Sequence, residues 1–443
     1  MKIMKKFLLL IIWIVLALSI AVLDVMFFTV IVVKMNVWFA CILSIIFYFL
    51  SMLGLNFLWK KKSSVSSSNI NLKTILATII FGLLMLYVFI VPTETYKSTN
   101  SVVPQYGVTP NLIDTSTGEK VAVYVQRSKI VGSSKSILFI NGGPGFAPGP
   151  SVREYLEGYT KLGYTVYAFD PIGNRCSPEP KTVDVYTIEN EVKIINDIVS
   201  HYKIDKVNLI AHSYGGNVAA RFIEKHPNKV NAYLALDTAP LYSMDENYRG
   251  QAQDQNSEFY KSVEAPRVKL EKNNKKLDIL EPTLKQKIKW FIADGLREKF
   301  NLKDIPYGSH EEYDYFKSLL VSSVLEGGIK NGKLKFRMNA LSNDLITKDM
   351  NKSPDFTKNF KKISTPPVLV AHPEFGVVPW QIHYQYKDYF KNTQFLTVSE
   401  ADHGIWDTKS ARDLLIKNSN ALFHHQTIPD EYIKKDNPYP VQN

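Results

Sequence analysis

Apolar residues fill three long runs at the start of the chain: Phe7 to Val33, broken only by Asp24, then Val37 to Trp59, then Thr74 to Val91. Each is about 18 residues or longer, enough to span a bilayer as a helix. Polar positions on them are too sparse to make the wet face of a soluble helix. The first run does not read as a signal peptide, because no small-x-small cleavage site leads into polar sequence and further apolar runs follow. Lys2, Lys5 and Lys6 precede the first run, and Lys60, Lys61, Lys62 and Lys73 lie between the second and third. Only Lys34 lies between the first and second. Positive charge stays on the cytoplasmic side, so the N-terminus and the second of these loops are expected inside, and everything after Pro92 outside. Residues 1–92 are read as a membrane anchor, its partner the lipid bilayer. Asp24 is placed near the outer end of a span or against another helix.

A polar linker, 93–106, follows, and the period then changes. Lys120 to Val125 alternates as a strand, and Ile137 to Ile140 and Thr165 to Asp170 read as buried strands. Between and after them, Val152 to Leu162, Glu189 to Tyr202 and Asn217 to Lys225 carry helical spacing. Strands alternating with helices predict an α/β fold, a mostly parallel sheet covered on both faces. Right-handed crossovers gather the loops at the carboxyl ends of its strands. From Leu241 to about Lys362 the chain is charged and helical, with helices expected over Gln255–Glu264, Glu281–Phe300 and Glu311–Leu325. This gives a core of 107–240 and 363–425, a helical insertion at 241–362, and a tail at 426–443 expected to be loosely held.

The net charge of +11 changes little in this picture. Residues 1–95 hold eight lysines against one aspartate and one glutamate, so +6 belongs to the anchor. The remainder carries no basic stripe for nucleic acid. Only two cysteines occur, Cys41 in a span and Cys176 in the core, and they are not expected to pair. An outward-facing domain without disulfides, in a chain rich in Lys, Ile and Asn, fits the cell membrane of a Gram-positive bacterium. No zinc spacing, phosphate loop or dinucleotide fingerprint is present, so no metal or cofactor is implied. His201, His226 and His310 are read as surface or core.

Chemistry enters with Leu209-Ile210-Ala211-His212-Ser213-Tyr214-Gly215-Gly216, set between a strand and a helix. A serine on so tight a turn tolerates only small residues two before and two after it, and Ala211 and Gly215 fill those places. Asn141-Gly142-Gly143-Pro144-Gly145 follows the strand Ile137 to Ile140, where glycines let backbone N–H groups approach a developing oxyanion. Ala401-Asp402-His403-Gly404 follows the apolar stretch Gln394 to Val398 and precedes a helical segment, Asp407 to Lys417. A histidine there comes last in the order serine, acid, histidine and suits a general base.

These motifs resemble the α/β-hydrolases, and the Gly-Gly-Pro-Gly loop with Ser-Tyr-Gly-Gly resembles their proline iminopeptidase branch. Val166-Tyr167-Ala168-Phe169-Asp170 and Gly173-Asn174-Arg175-Cys176-Ser177 extend the likeness, which covers roughly Gly107 to Asn420. It implies Ser213 as nucleophile, His403 as base, and the backbone N–H groups of Gly143 and Tyr214 as oxyanion donors. It also implies that the insertion after the sixth strand is a cap, and that cap or core carboxylates bind a substrate amine. Glu258, Glu311 and Glu312 are candidates that no motif singles out, so the substrate-binding residues are left unassigned. The chain departs from the pattern at Asn141, where the branch has His, and at Pro171-Ile172, where it has Gln-Arg. It departs again at the acid: in Val370-Ala371-His372-Pro373-Glu374-Phe375-Gly376, Gly376 stands where an Asp is expected. Asp237, closing Tyr233-Leu234-Ala235-Leu236-Asp237, is the preferred acid, because some hydrolases of this fold take it from that strand end. Glu374 is the alternative acid, and a Ser–His dyad is a third possibility.

The reading is a membrane-anchored extracellular serine hydrolase that cleaves an ester or amide through an acyl-enzyme, aminopeptidase-like on short peptides. A lipid or small-ester esterase is the competing activity. A non-catalytic binding protein on a hydrolase scaffold is the other class, motivated by Gly376.

Overall fold

The computed structural model describes residues 2–62, 67–96, 106–241, 280–322, 329–330, 333–334 and 337–439. They divide into two compact units, Met1–Asn100 with Glu281–Phe316, and Ser101–Leu280 with Lys317–Asn443. The insertion at 241–362 is therefore shared between the units. Its expected helix Gln255–Glu264 and the carboxylate Glu258 lie outside the described residues.

The first unit begins with three helices, α1 (Lys2–Ile31), α2 (Val37–Lys62) and α3 (Ser67–Met85), the last running into a π-helical turn at Leu86–Ile90. Leu10–Ile31, Val37–Trp59 and Leu72–Ile90 are long and apolar enough to cross a membrane. Four of their polar side chains turn inward: Asp24, Ser44, Asn56 and Thr74 are buried, and Trp13 Nε1 donates to Asn56 Oδ1 at 3.1 Å. The unit is completed by Glu281–Phe316, which contains α7 (Leu284–Phe300) and the start of α8 (His310–Ser322). A capping box between Thr283 and Gln286 starts α7, and left-handed Asn301 ends it.

The second unit is built on an eight-stranded sheet in the order β1-β2-β4-β3-β5-β6-β9-β10. The strands are β1 (Asn111–Asp114), β2 (Lys120–Gln126), β3 (Lys135–Ile140), β4 (Tyr164–Asp170), β5 (Val207–His212), β6 (Val230–Leu236), β9 (Val368–Phe375) and β10 (Thr393–Asp402). β7 (Ile329–Lys330) and β8 (Lys333–Leu334) form a small separate pair. β2 is antiparallel to both its neighbours, and the pairs from β4 to β10 are parallel.

Side-chain alternation sorts the core onto two faces. Leu138, Ile140, Leu209, Tyr233 and Val370 join a cluster with Ile195 of α5 (Ile188–His201), Phe222 of α6 (Gly215–Lys225) and Leu341 of α9 (Ala340–Lys352). Phe139, Val166, Ile210, Leu234 and Leu369 join the other, with Tyr155 of α4 (Pro150–Lys161) and Leu415 of α10 (Lys409–Phe423). Each fully buried large apolar side chain contributes about 1.5–3 kcal/mol, so a one-residue slip in any central strand would cost several such terms.

The tail differs from expectation. Tyr432 N–H donates to Phe395 O at 2.8 Å, Trp380 Nε1–H to Lys435 O at 2.8 Å, and Lys417 pairs with Asp430 at 2.8 Å. Its aromatic residues and carbonyls tie it down beside β10, where a polar composition alone suggested a loose end.

Candidate active site

Gly143, Ser213, Tyr214, Asp237 and His403 each lie just beyond the carboxyl end of a parallel strand, while Glu374 lies within β9. Ser213 sits between β5 and α6 with φ +52°, in the left-handed region that costs a non-glycine residue about 1 kcal/mol or more. Surrounding backbone bonds hold it there. Ser213 N–H donates to Leu236 O at 3.1 Å, and Ser213 O accepts from Gly216 and Ala239, each at 3.0 Å. The need for small neighbours is visible at Gly215, where a Cβ would lie 2.5 Å from Ile140 O.

The loop after β3 closes on the serine from the next strand. A Cβ on Gly142 would lie 3.0 Å from both Ser213 Cβ and His212 Nδ1, and Gly143 takes φ +130°, open to glycine. Side-chain amides hold the carbonyls of this loop. Asn343 Nδ2 donates to Pro144 O at 2.8 Å, Asn141 Nδ2 to Phe146 O at 3.0 Å, and Asn174 Nδ2 to Gly145 O. Asn141 thus closes its own loop where the related branch has His. Asn343, on α9, had no motif to mark it in the sequence.

His403 follows β10 and is about one-fifth exposed. Its Nδ1 lies 2.6 Å from Asp237 Oδ2. A carboxylate accepts, so Nδ1 carries the proton and Nε2 is left with a free lone pair. Asp237 follows β6, is fully buried, and takes φ +41°. Its N–H donates to Ala371 O, and its Oδ2 also accepts from Val377 N–H, both at 3.1 Å. Burial works against its charge, but the hydrogen bond and charge of His403, with smaller contributions from His383 and His372, hold its carboxyl below the usual value.

Gly376 now has a physical role. A Cβ there would stand 2.8 Å from both carboxylate oxygens of Asp237. The glycine that vacates the related branch's acid position makes room for the carboxylate coming from β6. Glu374 points elsewhere, its Oε2 accepting from Glu400 N–H at 2.8 Å.

Three histidines surround this pair that the sequence did not mark. His212 donates from Nε2 to His403 O at 2.8 Å, and its ring lies 4.4 Å from the His403 ring and 4.7 Å from that of Trp406. Burial, with the charge of His403, holds its pKa down to about 3, so it stays neutral. Behind Asp237, His383 Nε2 faces Oδ1 at 3.5 Å, and His383 Nδ1 meets His372 Nδ1 at 2.8 Å. One of those two Nδ1 atoms must donate. When His372 does, His383 carries its proton on Nε2, towards a buried carboxylate oxygen with no other partner. Burial lowers His372 to about 3 and His383 to about 4. Asp237, His372 and His383 also bring ligand atoms within 4.8 Å of one another, so these are the residues here that could hold a metal ion. His372 and His383 lie too far from Asp237 in the chain to read as a ligand set.

In the first unit, Glu312 is buried in an ion pair with Lys289 at 3.6 Å and accepts from Ser309 N–H at 2.9 Å. Its carboxylate is thus engaged within the first unit.

Sheet order, elbow and loops define the class of the protein: it has the α/β-hydrolase fold, and residues 135–272 match the family model of that fold. Its relatives are more distant. A proline iminopeptidase of Saccharolobus solfataricus is 20% identical over 65% of this chain and 86% of its own length. Epoxide hydrolase 1 of Caenorhabditis elegans is 34% identical over 101 residues, which span 24% of that protein. Among solved structures, an esterase from Exiguobacterium antarcticum aligns over 71% of this chain and 99% of its own, with 15% identity and TM-score 0.45.

Proposed function

We propose that this protein is a membrane-anchored serine hydrolase acting through an acyl-enzyme, with Ser213, His403 and Asp237 as its triad. The observation that carries the reading is the 2.6 Å pair between His403 Nδ1 and a fully buried Asp237. That pair fixes the tautomer in which Nε2 can accept a proton. Ser213 Oγ attacks the carbonyl carbon as its proton passes to His403 Nε2. The resulting oxyanion is received by the N–H groups of Gly143 and Tyr214, each worth roughly 3 kcal/mol in related chemistry. Collapse expels the leaving group, which takes the proton from His403. Water, deprotonated by the same nitrogen, then releases the acyl group as the acid. Asp237 orients the imidazole and stabilises its cation, while His383 orients Asp237. A buried acid in contact with the base supports this reading over a non-catalytic binding protein, whose motive was the missing acid at Gly376.

The substrate we infer first is a short peptide with a free N-terminus, supported by the likeness to one proline iminopeptidase over 86% of its length. An acyl ester or lipid is the second reading. One observation favours it: the chain carries three helices able to hold it at a bilayer. Hydrolysis of aminoacyl amides, with free or blocked amines, is measured beside that of acyl esters on membranes carrying the full chain, with Ser213→Ala as blank. Preference for the free-amine amides supports the peptidase reading. Turnover confined to esters replaces it with the second.

A further inference from the structure

Helix α7 buries polar side chains beside the apolar Trp290, Ala293 and Leu296, and exposes an apolar stripe. Its polar side chains Gln286, Lys289 and Arg297 are buried, at 1%, 1% and 2% exposure, while Leu284, Ile288 and Phe291 are 74%, 41% and 55% exposed. Those three lie at i, i+4 and i+7, one above the other on a single face. Each inward polar side chain has a partner there: Gln286 Oε1 accepts from Thr283 N–H at 2.8 Å, Lys289 pairs with Glu312, and Arg297 Nη1 donates to Tyr313 OH at 3.0 Å. A surface helix bathed in water shows the opposite arrangement. An apolar outer stripe, with the polar groups turned inward, suits a lipid environment, where unpaired polar groups are costly and apolar ones cost nothing.

The helix is also in the right place for one. Within the first unit, Tyr307, just beyond α7, packs between Phe28 and Phe89, with ring centroids 6.1 and 5.1 Å away. Lys285 Nζ lies 4.4 Å over the Tyr87 ring and donates to Pro92 O at 3.0 Å. The start of α7 is thereby fixed to Tyr87–Pro92, where the apolar segment Leu72–Ile90 ends. Lys285, Lys287 and Lys299 set positive charge along the helix, suited to anionic headgroups.

We propose that α7 lies in the membrane–water interface at the Ile90 end of the third apolar helix, with Leu284, Ile288 and Phe291 sunk into the boundary of headgroups and acyl chains. The apolar stripe continues the lipid-facing surface of the helices that it packs on. This inference rests on reading α1–α3 as membrane spans and is independent of the catalytic assignment.

The test uses the full chain in vesicles of phosphatidylethanolamine and phosphatidylglycerol, with Cys41 and Cys176 replaced by Ser. A fluorophore is attached to Ile288→Cys or Phe291→Cys, with Leu18→Cys, on an exposed span position, and Val131→Cys, fully exposed in the second unit, as references. All four substitutions are at exposed side chains, and Ile288→Cys serves without Phe291→Cys, which gives up the edge-to-face contact with Phe316 at 5.6 Å. Phospholipids bearing a nitroxide high on the acyl chain are expected to quench positions 288 and 291 strongly and Val131 little, while a deeper nitroxide quenches Leu18. Quenching at Leu18 with none at 288 and 291 overturns the proposal, whether the α7 labels report water or a covering protein surface. No quenching at any position overturns the reading of the spans, and this inference with it.

Discussion

At the scale of residues, the site turns on one exchange. Asp237 brings a carboxylate to His403 from the end of β6, and Gly376 at the end of β9 leaves space for it. The sequence displayed both residues, but only as a candidate and a gap. That the gap accommodates the candidate depends on β6 and β9 lying side by side, which no local pattern encodes. Asp237→Asn is expected to lower kcat by roughly 10⁴-fold, because the amide no longer selects the Nδ1–H tautomer. Glu374→Gln, which disturbs a bond to the Glu400 backbone, is expected to leave kcat within about threefold of wild type, surface changes being mostly small. Steady-state kinetics of the two variants separates them.

The same neighbourhood sets an acid limit. His372 and His383 have folded values of about 3 and about 4 against 6.5 when unfolded. Between those values the unfolded chain binds more protons, so stability rises with pH there. The contribution is complete above pH 6.5 and is lost as the pH falls towards the folded values. Melting temperatures from pH 7 to 4.5 should fall steeply for the wild type. They should fall less for His372→Gln with His383→Gln, though from a lower start. Equal slopes would remove the two histidines from the acid response.

At the scale of elements, strands and flanking helices were readable because period and turn chemistry agreed. The alternation at Lys120–Val125 became β2, and Ala211 and Gly215 marked the β5–α6 turn. What holds the Gly142–Gly145 loop was not readable. Asn174 and Asn343 reach its carbonyls from distant segments, and a lone Asn on a helix carries no signal. Asn343→Ala should release Pro144 O and loosen the loop that presents Gly143. A fall of roughly tenfold in kcat with KM nearly unchanged is expected if the loop serves the transition state more than substrate binding. A rise in KM alone would assign Asn343 to binding. Helix α7 shows the reverse limit. A helix was expected over Glu281–Phe300 and runs over Leu284–Phe300, yet its buried polar groups and exposed apolar stripe emerge only once Glu312 and Tyr313 are brought beneath it.

At the scale of the whole molecule, charge and hydropathy define an arrangement that a single thiol can report. Cys176 is exposed in the second unit, and Cys41 is buried among the apolar helices. With the lysine-rich loops cytoplasmic, a membrane-impermeant maleimide should label the full chain in intact protoplasts at Cys176, and Cys176→Ser should abolish that labelling. Labelling that appears only after lysis would place the hydrolase unit inside and reverse the topology.

The central claim is that Ser213 is an activated nucleophile whose base is oriented by Asp237. Its most direct test is fluorophosphonate labelling of membranes carrying the wild-type chain, Ser213→Ala or Asp237→Asn, at equal amounts of folded protein. The account predicts rapid labelling of the wild type, none of Ser213→Ala, and labelling slowed by orders of magnitude in Asp237→Asn. A folded wild-type chain that takes no label, or a Ser213→Ala chain that still does, would contradict it.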